Sequence, residues 1–489
     1  MSLCKKMKQK SLKKNALYTF FRSFSNLAFP LITFPYASRI LDPDGIGKIN
    51  FSNSVIALFI TFALLGTNTY ASREAAKIRD NKFLLSKFSK EILIINICST
   101  IISYLIFFIL LFTIPKFSNY ITIMLICSTK IFFTIFGMEW LYTATEEFKY
   151  ITIRSFVFQV ISLLFLFLFV HEKKDLYLYA LFGVISAVGS NICNFINCRH
   201  YINLFQKCNL EIKKHLKYIF VFFGMALVTN VYTVLDSTML GFLTDDVQVG
   251  YYSAATKIVK MVIGLLTAVS GILLPRLSYY AEGNNRNSFD TLFYKSAIIF
   301  WMLCIPMTIG LYILSEPLLI LFSGGKFIQA LQPMHIITPI IFSISTASFI
   351  GCGLSALRKE KISLIAVCIG AVMNTTINFI FIPKCGASGA AYGTITAESI
   401  VMLIQLIYMK KYFFKKKIFK NLIQIFLSTV CMGICICYLV SFFENPLQKI
   451  VIGFFSGIII YSLILFLLHN EYFCEYIKKI FSRINRRKN

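Results

Sequence analysis

The chain has 489 residues, of which 57% are hydrophobic, 16% aromatic and only 15% charged, and its mean hydropathy is +0.72. A soluble domain carries roughly 25% charged residues, so this composition excludes the ordinary soluble classes. Apolar runs of about 20 residues recur from end to end and define an all-α polytopic membrane protein. The formal net charge of +27 would suggest nucleic acid in a soluble protein. Here it reflects Lys and Arg held in cytoplasmic loops, and no nucleic-acid partner is expected.

In chain order, a basic N-tail (1–15) leads into about fourteen predicted spans. The basic start and long apolar run containing Arg22 lack a small-residue cleavage site, which reads as an uncleaved first span rather than a signal peptide. Spans are expected at 16–37, 49–69, 88–114, 120–141, 151–170 and 176–197, forming an N-lobe over 16–197. A cytoplasmic linker (198–215) precedes spans at 216–241, 249–275, 291–314, 330–354, 362–382 and 387–409, a C-lobe over 216–409. A basic loop (410–421), two further spans (422–441 and 447–468) and a basic C-tail (469–489) complete the chain. With the N-terminus inside, the basic segments fall almost wholly on the cytoplasmic side, so both termini are expected there. The stretch Tyr70 to Lys87 mixes apolar and basic residues and is expected to lie along the inner surface as an amphipathic helix.

A weak repeat supports two lobes: "LDPDGIGKINFSN" (Leu41 to Asn53) resembles "LTDDVQVGYYSAA" (Leu243 to Ala255). Asp42 and Asp44 could suggest a metal loop. A calcium loop needs acids at further alternating positions, and Pro43 and Gly45 instead favour an outside turn between the first two spans. No metal site is expected. Most of the 14 Cys lie in apolar runs, as packing residues without disulfides.

Ionisable side chains inside spans usually face a cavity or a partner. Arg22 shares a helical face with Tyr18, Ser25 and Asn26; Lys130 falls near a midplane; Lys257 and Lys260 share a face with Ser253 and Gly264. Arg154, near the start of the fifth span, either snorkels or faces a cavity. Arg39, Asn50 and Asn53 flank the first turn and could face a cavity from its outer end. Asp236 and Glu398 are the deep acids; Asp236 either pairs with Lys257 or takes part in ion coupling, and Glu139 reads as interfacial. The series Gly370, Asn374, Asn378 and Asn191, Asn194, Asn197 suit helix packing by small and amide residues. Pro30, Pro35, Pro306 and Pro339 can bend helices.

Five stretches together carry a family resemblance: "FPLITFPYASRILDPDGIGKINFSNS", "LGTNTYASREAAKIRD", "EWLYTATEEFKYITIRS", "LDSTMLGFLTDDVQVGYYSAATKI" and "NTTINFIFIPKCGASGAAYGTITAE". The sequence resembles the Wzx-type polysaccharide flippases, the polysaccharide-transporter branch of the exporter superfamily that includes multidrug exporters. It departs from them in two places: Asp42 stands where such proteins commonly have Gly, and "TNT" follows Gly66 in place of a more apolar turn.

The resemblance implies two six-helix lobes around a central cavity with two further helices behind. It implies a non-enzymatic flippase that moves undecaprenyl-diphosphate-linked oligosaccharide to the outer leaflet of the bacterial inner membrane, for O-antigen or capsule. On that reading Arg22, Asn26, Arg39, Asn50, Asn53, Lys130, Arg154, Lys257 and Lys260 bind substrate, and Asp236 and Glu398 couple transport to H+ or Na+. No cofactor is expected. Expected partners are the lipid-linked oligosaccharide, membrane lipid, a polysaccharide polymerase and chain-length machinery, and the chain is expected to be a monomer. The alternatives are a cation-coupled drug exporter, with a more acidic cavity, a peptidoglycan-precursor flippase of the same fold, and a membrane glycan polymerase. The last would call for a sizeable domain or outside loop carrying catalytic acids.

Overall fold

A computed structural model describes residues 12–282, 286–413, 416–475 and 478. The expected basic N-tail up to residue 11, part of the basic loop after Phe413 and nearly all of the C-tail past Glu475 lie outside the described residues. The described elements are all helical. Among the described residues, twelve helices are long and apolar enough to cross a membrane, and a bent pair makes a thirteenth.

The first of these contains two spans. Helix α1 runs Leu12–Leu64, 53 residues with one break at Asp42. Straight, it would be about 80 Å long, far beyond a hydrocarbon core of about 30 Å, so it has to fold back. Its contacts show where. Tyr18 and Arg22 meet Thr152 and Glu139, while Thr67, just past the helix, meets Asn96. Asp42, midway, pairs with Lys173, and Tyr36 donates to the Val170 carbonyl. The two ends of α1 therefore lie at one side of the bundle and Asp42 at the other. Counted by its two legs, α1 brings the total to fourteen spans, as the hydropathy pattern predicts.

The reversal has a specific backbone. Asp42 sits at φ 58°, ψ 175°, a region essentially reserved for glycine. Pro43 then opens the second leg, where its missing N–H costs nothing. Asp42 pairs with Lys173 (2.5 Å) and Asp44 with Lys48 (2.8 Å), so both acids serve the turn. The strain at Asp42 is about 1–3 kcal/mol, whereas a pair with one exposed partner contributes about 0–1 kcal/mol. Asp42→Gly should therefore be at least as stable as the natural chain and Asp42→Ala less stable, as measured by thermal unfolding in mild detergent. The reverse order would refute the strain assignment.

The chain divides into two compact units, Met1–Gly250 and Tyr251–Asn489. In the first, α2 (Thr67–Ile78) follows Gly66, at φ 70°. The amphipathic helix expected over Tyr70 to Lys87 is thus shorter. Asn81 accepts from the Leu84 N–H (3.1 Å) and starts α3 (Lys82–Thr113), because an Asn cap satisfies an otherwise orphaned donor. Helix α2 also buries Tyr70, Ala71 and Ala75 in a core with Phe88, Ile92, Trp140 and Ile219.

Helix α4 (Ile121–Ile135) ends early, with Met138 at φ 41° before the short α5 (Glu139–Ala144). Its last carbonyls lack intrahelical donors. Asn191 donates to the Phe133 carbonyl (3.1 Å) and Asn194 to that of Gly137. Two of the expected asparagine series, Asn191 and Asn194, therefore close a broken span. Helix α6 (Phe148–Phe169) follows, then α7 (Leu176–Val184), a π-helical turn over Ile185–Gly189 and α8 (Ser190–Cys198). Helix α9 (Ile212–Leu243) packs along the second leg of α1: Thr238 donates to Ser54 (3.0 Å), and Gly241 leaves no room for a Cβ beside Phe51.

At the end of this unit that holds Asp42 the two repeated turns interlock. A Cβ on Gly47 would fall on the Asp246 carbonyl, and one on Gly250 on the Pro43 carbonyl. Tyr120 donates to Asp246 (2.5 Å) and Lys116 to the Thr244 carbonyl (2.9 Å).

The second unit holds the remainder of α10 (Asp246–Glu282), then α11 (Arg286–Ile313) and α12 (Ser315–Ser323). Next come α13 (Leu331–Ile337) and α14 (Ile340–Ala356), bent by 45° around Pro339. Helices α15 (Glu360–Cys385) and α16 (Ala387–Tyr408) form a close hairpin turned by Gly386 at φ 55°. Gly370, Asn374 and Asn378 are all buried, and Gly393 makes room for the Asn378 amide, which is the packing role small and amide residues take in membranes. After the short α17 (Lys410–Phe413), α18 (Lys416–Val440) and α19 (Pro446–Leu467) pair, Gly453 meeting Val440 and Gly457 meeting Ile436, while Gly453 also meets Leu314 between α11 and α12.

Candidate functional site

The first unit gathers its deep charges into two clusters. In one, Arg22 Nη2 donates to both carboxylate oxygens of Glu139 (2.7 and 3.0 Å), and Arg154 Nη2 reaches Glu139 Oε1 at 3.3 Å. Arg154 is buried, with 4% of its side chain exposed. Its Nη1 donates to the Ser190 carbonyl (3.0 Å), and its guanidinium lies 6.0 Å from the centre of the Tyr150 ring. Two guanidinium groups on one carboxylate leave a net charge of about +1. Burial rules out snorkelling for Arg154. Glu139 read as interfacial in the sequence, yet it holds this cluster together, from the start of the helix that follows the break at Met138.

In the other cluster Lys130, on α4, donates to Asn53 Oδ1 (2.5 Å) on the second leg of α1. An ammonium has three donors, and this contact uses one. Of the three polar residues flanking the first turn, Asn53 is the one that meets a cation. Arg39 Nη1 and Asn50 Nδ2 donate to carbonyls of their own helix, Pro35 and Ile46 (2.7 and 2.8 Å). Asn26, exposed, accepts from Gln159 (2.8 Å).

Asp236 is buried on α9. In the second unit Lys257 is partly buried and Lys260 exposed, both on α10, and Glu398 is partly buried on α16. This unit also carries an apolar groove of about 600 Å³ between α11, α12, α18 and α19, lined by Met302, Pro306, Leu314, Ile436 and Phe454 among others. Its chemistry suits hydrocarbon.

The sequence reading missed a third polar cluster, Tyr70, Glu91 and His215, all buried. An acid within a predicted span, as Glu91 is, was the available signal. Beside it, outside the spans, Glu211 is exposed and its carboxyl is held down to about 2 by hydrogen bonds first from Lys214 and then from Lys87. It is therefore ionised throughout the physiological range, and these contacts fail only as pH falls towards about 2.

These features define a polytopic helical membrane protein with cations held by acid and amide side chains within its spans, Arg154 buried and Arg22 and Lys130 partly so. Comparison with known proteins places it further: the family described as "Polysaccharide biosynthesis protein" matches residues 12–281, more than half of the chain, and the chain belongs to that family. A second family, described as "MatE", matches residues 221–380. The chain is similar to a protein named "Putative O-antigen transporter" in Escherichia coli (strain K12), with 23% identity over 412 residues that cover 82% of this chain and 97% of that one. It is similar to "Capsular polysaccharide biosynthesis protein CapF" of Staphylococcus aureus, with 25% identity over 421 residues, 83% of this chain and all of the relative. The solved structure of the lipid II flippase MurJ in an inward closed conformation has the same fold, with a TM-score of 0.73 at 20% identity over 94% of this chain and 99% of that one.

Proposed function

We propose that this protein is a flippase that carries undecaprenyl-diphosphate-linked oligosaccharide from the cytoplasmic to the outer leaflet of a bacterial inner membrane, for O-antigen or capsule synthesis. Both termini are cytoplasmic, and the route is alternating access through a cationic cavity. The observation that carries this reading is membership of the polysaccharide biosynthesis family over residues 12–281.

The chemistry supports it. Each glycan hydroxyl left without a partner in hydrocarbon costs about 4–8 kcal/mol, so several hydroxyls and a diphosphate need a polar, cationic path. Arg22, Lys130, Arg154, Lys257 and Lys260 supply cations, and Asn26, Arg39, Asn50 and Asn53 extend the polar lining. The deep charges are mainly basic, which favours an anionic lipid over a cationic drug. Asp236 and Glu398 couple the cycle to H+ or Na+; full transport in both Asp236→Asn and Glu398→Gln would end that part of the proposal. A polymerase and chain-length machinery take up the product, and the flippase works as a monomer.

Deleting the gene should leave a lipid-linked oligosaccharide accumulated on the inner leaflet, and an unchanged pool would contradict the reading. A charge-assisted hydrogen bond contributes about 1.5–3 kcal/mol. Lys130→Met and Lys257→Met are therefore each expected to lower surface glycan about tenfold or more at matched protein levels. Full surface glycan in both would remove the cationic cavity.

A further inference from the structure

We infer that Tyr70, Glu91 and His215 form a proton-binding site that fastens the start of α9 to α2 and α3, whatever substrate the protein carries. Glu91 is 1% exposed, His215 4% and Tyr70 6%. His215 Nε2 lies 2.8 Å from Glu91 Oε2, and His215 Nδ1 lies 2.7 Å from the Tyr70 hydroxyl. The other Glu91 oxygen accepts the backbone N–H of Glu211 at 2.7 Å. Three segments distant in sequence thus meet through one imidazole, and both of its nitrogens are engaged.

The arrangement accommodates two proton counts. With a neutral imidazole, Nε2–H donates to the Glu91 carboxylate and Nδ1 accepts the Tyr70 O–H, leaving one buried negative charge. One proton taken from water onto Nδ1 turns the Tyr70 bond around, so that Nδ1–H donates to the phenol oxygen. The pair of His215 and Glu91 is then neutral overall. A buried charge is less costly with a counter-charge in direct contact than without one, and the imidazolium adds such a contact to the longer-range attraction of Lys214 for Glu91, so the proton tightens the junction and its loss loosens it. Glu91 is committed to this place by the Glu211 N–H, and Glu211 is itself bound to Lys87 and Lys214. A change at His215 therefore bears on the segment that leads into α9.

The titratable groups facing the site come from every element around it. Helix α2 gives Tyr70 and Glu74, with Arg73 over the Phe222 ring, and α3 gives Lys87 and Glu91, with Lys90 directed to the Gln206 carbonyl. The segment before α9 gives Glu211, and α9 itself gives Lys214 and Tyr218. The remaining walls are apolar: Phe88, Trp140, Ile219 and Phe222.

Trp140 provides the reporter. It shares the Phe88 ring with His215, the centroids lying 5.8 Å from Phe88 to Trp140 and 5.3 Å from Phe88 to His215. The chain has two Trp, so Trp301→Phe makes Trp140 the sole emitter in the full-length protein in nanodiscs. Its emission, followed between about pH 5 and pH 9, the range a histidine covers when its surroundings shift it, should change in a single one-proton step. The step should be lost in His215→Gln. Emission independent of pH in the Trp301→Phe protein would overturn the proposal without need of any variant in the cluster. A step that persists unchanged in folded His215→Gln would overturn it as well.

Discussion

Glu139→Gln is expected to destabilise the protein by about 2 kcal/mol. Breaking a fully buried ion pair by removing one partner costs about 3–5 kcal/mol, and the Glu139 side chain is 37% exposed, so solvent screening lowers the figure. The loss is concentrated on Arg154. Its side chain is 4% exposed and keeps the Ser190 carbonyl, but its counter-charge is gone while Arg22 stands nearby as a like charge. Arg22→Gln, which leaves the Glu139–Arg154 pair in place, should cost less. In Glu139→Gln/Arg154→Gln the two losses should fall short of their sum by about 1 kcal/mol, the mark of residues in one network. Thermal unfolding of the natural protein, the single variants Glu139→Gln, Arg22→Gln and Arg154→Gln and the double variant in the same detergent measures this, and strict additivity would show that the cluster is not energetically joined.

Gly47→Val is expected to be the more damaging change. A methine carbon at position 47 would occupy the space of the Asp246 carbonyl, and a backbone atom cannot swing away as the end of a side chain can. Overpacking a well-filled site costs about 1–3 kcal/mol and at times more. Here the second leg of α1 and the turn before α10 would have to part, with the Tyr120–Asp246 hydrogen bond lost as they do. Gly250→Val should act alike, since its Cβ would meet the Pro43 carbonyl. Gly183 is the control: nothing lies within 4 Å of a Cβ there, so Gly183→Val should express and unfold close to the natural protein. If Gly47→Val matched Gly183→Val, the interlocked turns would not be a constraint on the fold.

Much of the architecture was legible because its cause is one-dimensional. A span is a run of apolar residues long enough for hydrocarbon, so the number of spans and the turn at Asp42-Pro43-Asp44-Gly45 could be read directly. The asparagine series could be read only as packing, because the carbonyls they satisfy arise from a break at Gly137 and Met138 that periodicity does not signal. The early end of the amphipathic segment at Ile78 was decided by a cap, Asn81, two turns before the expected end.

The charged residues were partly legible. Depth in a span pointed Arg22 and Lys130 towards a cavity and left Arg154 open between a cavity and snorkelling; the partners they meet are remote in sequence, Arg22 and Glu139 lying 117 residues apart and Lys130 and Asn53 77 apart. Glu91 and His215, 124 residues apart, each lie at the edge of an apolar run. Read singly, both pass for interfacial residues. Burial by a third element, α2, is what makes them a buried pair, and that is a property of the packing.

Flipping can be followed in vesicles that contain the purified protein and a fluorescent undecaprenyl-diphosphate-linked oligosaccharide in both leaflets, with a membrane-impermeant quencher added outside. With a functional flippase the inner half of the signal should be drawn out and quenched on the time scale of seconds to minutes, and more slowly with Lys130→Met. If the inner half stays protected as long as in protein-free vesicles, the protein is not a flippase of lipid-linked oligosaccharide.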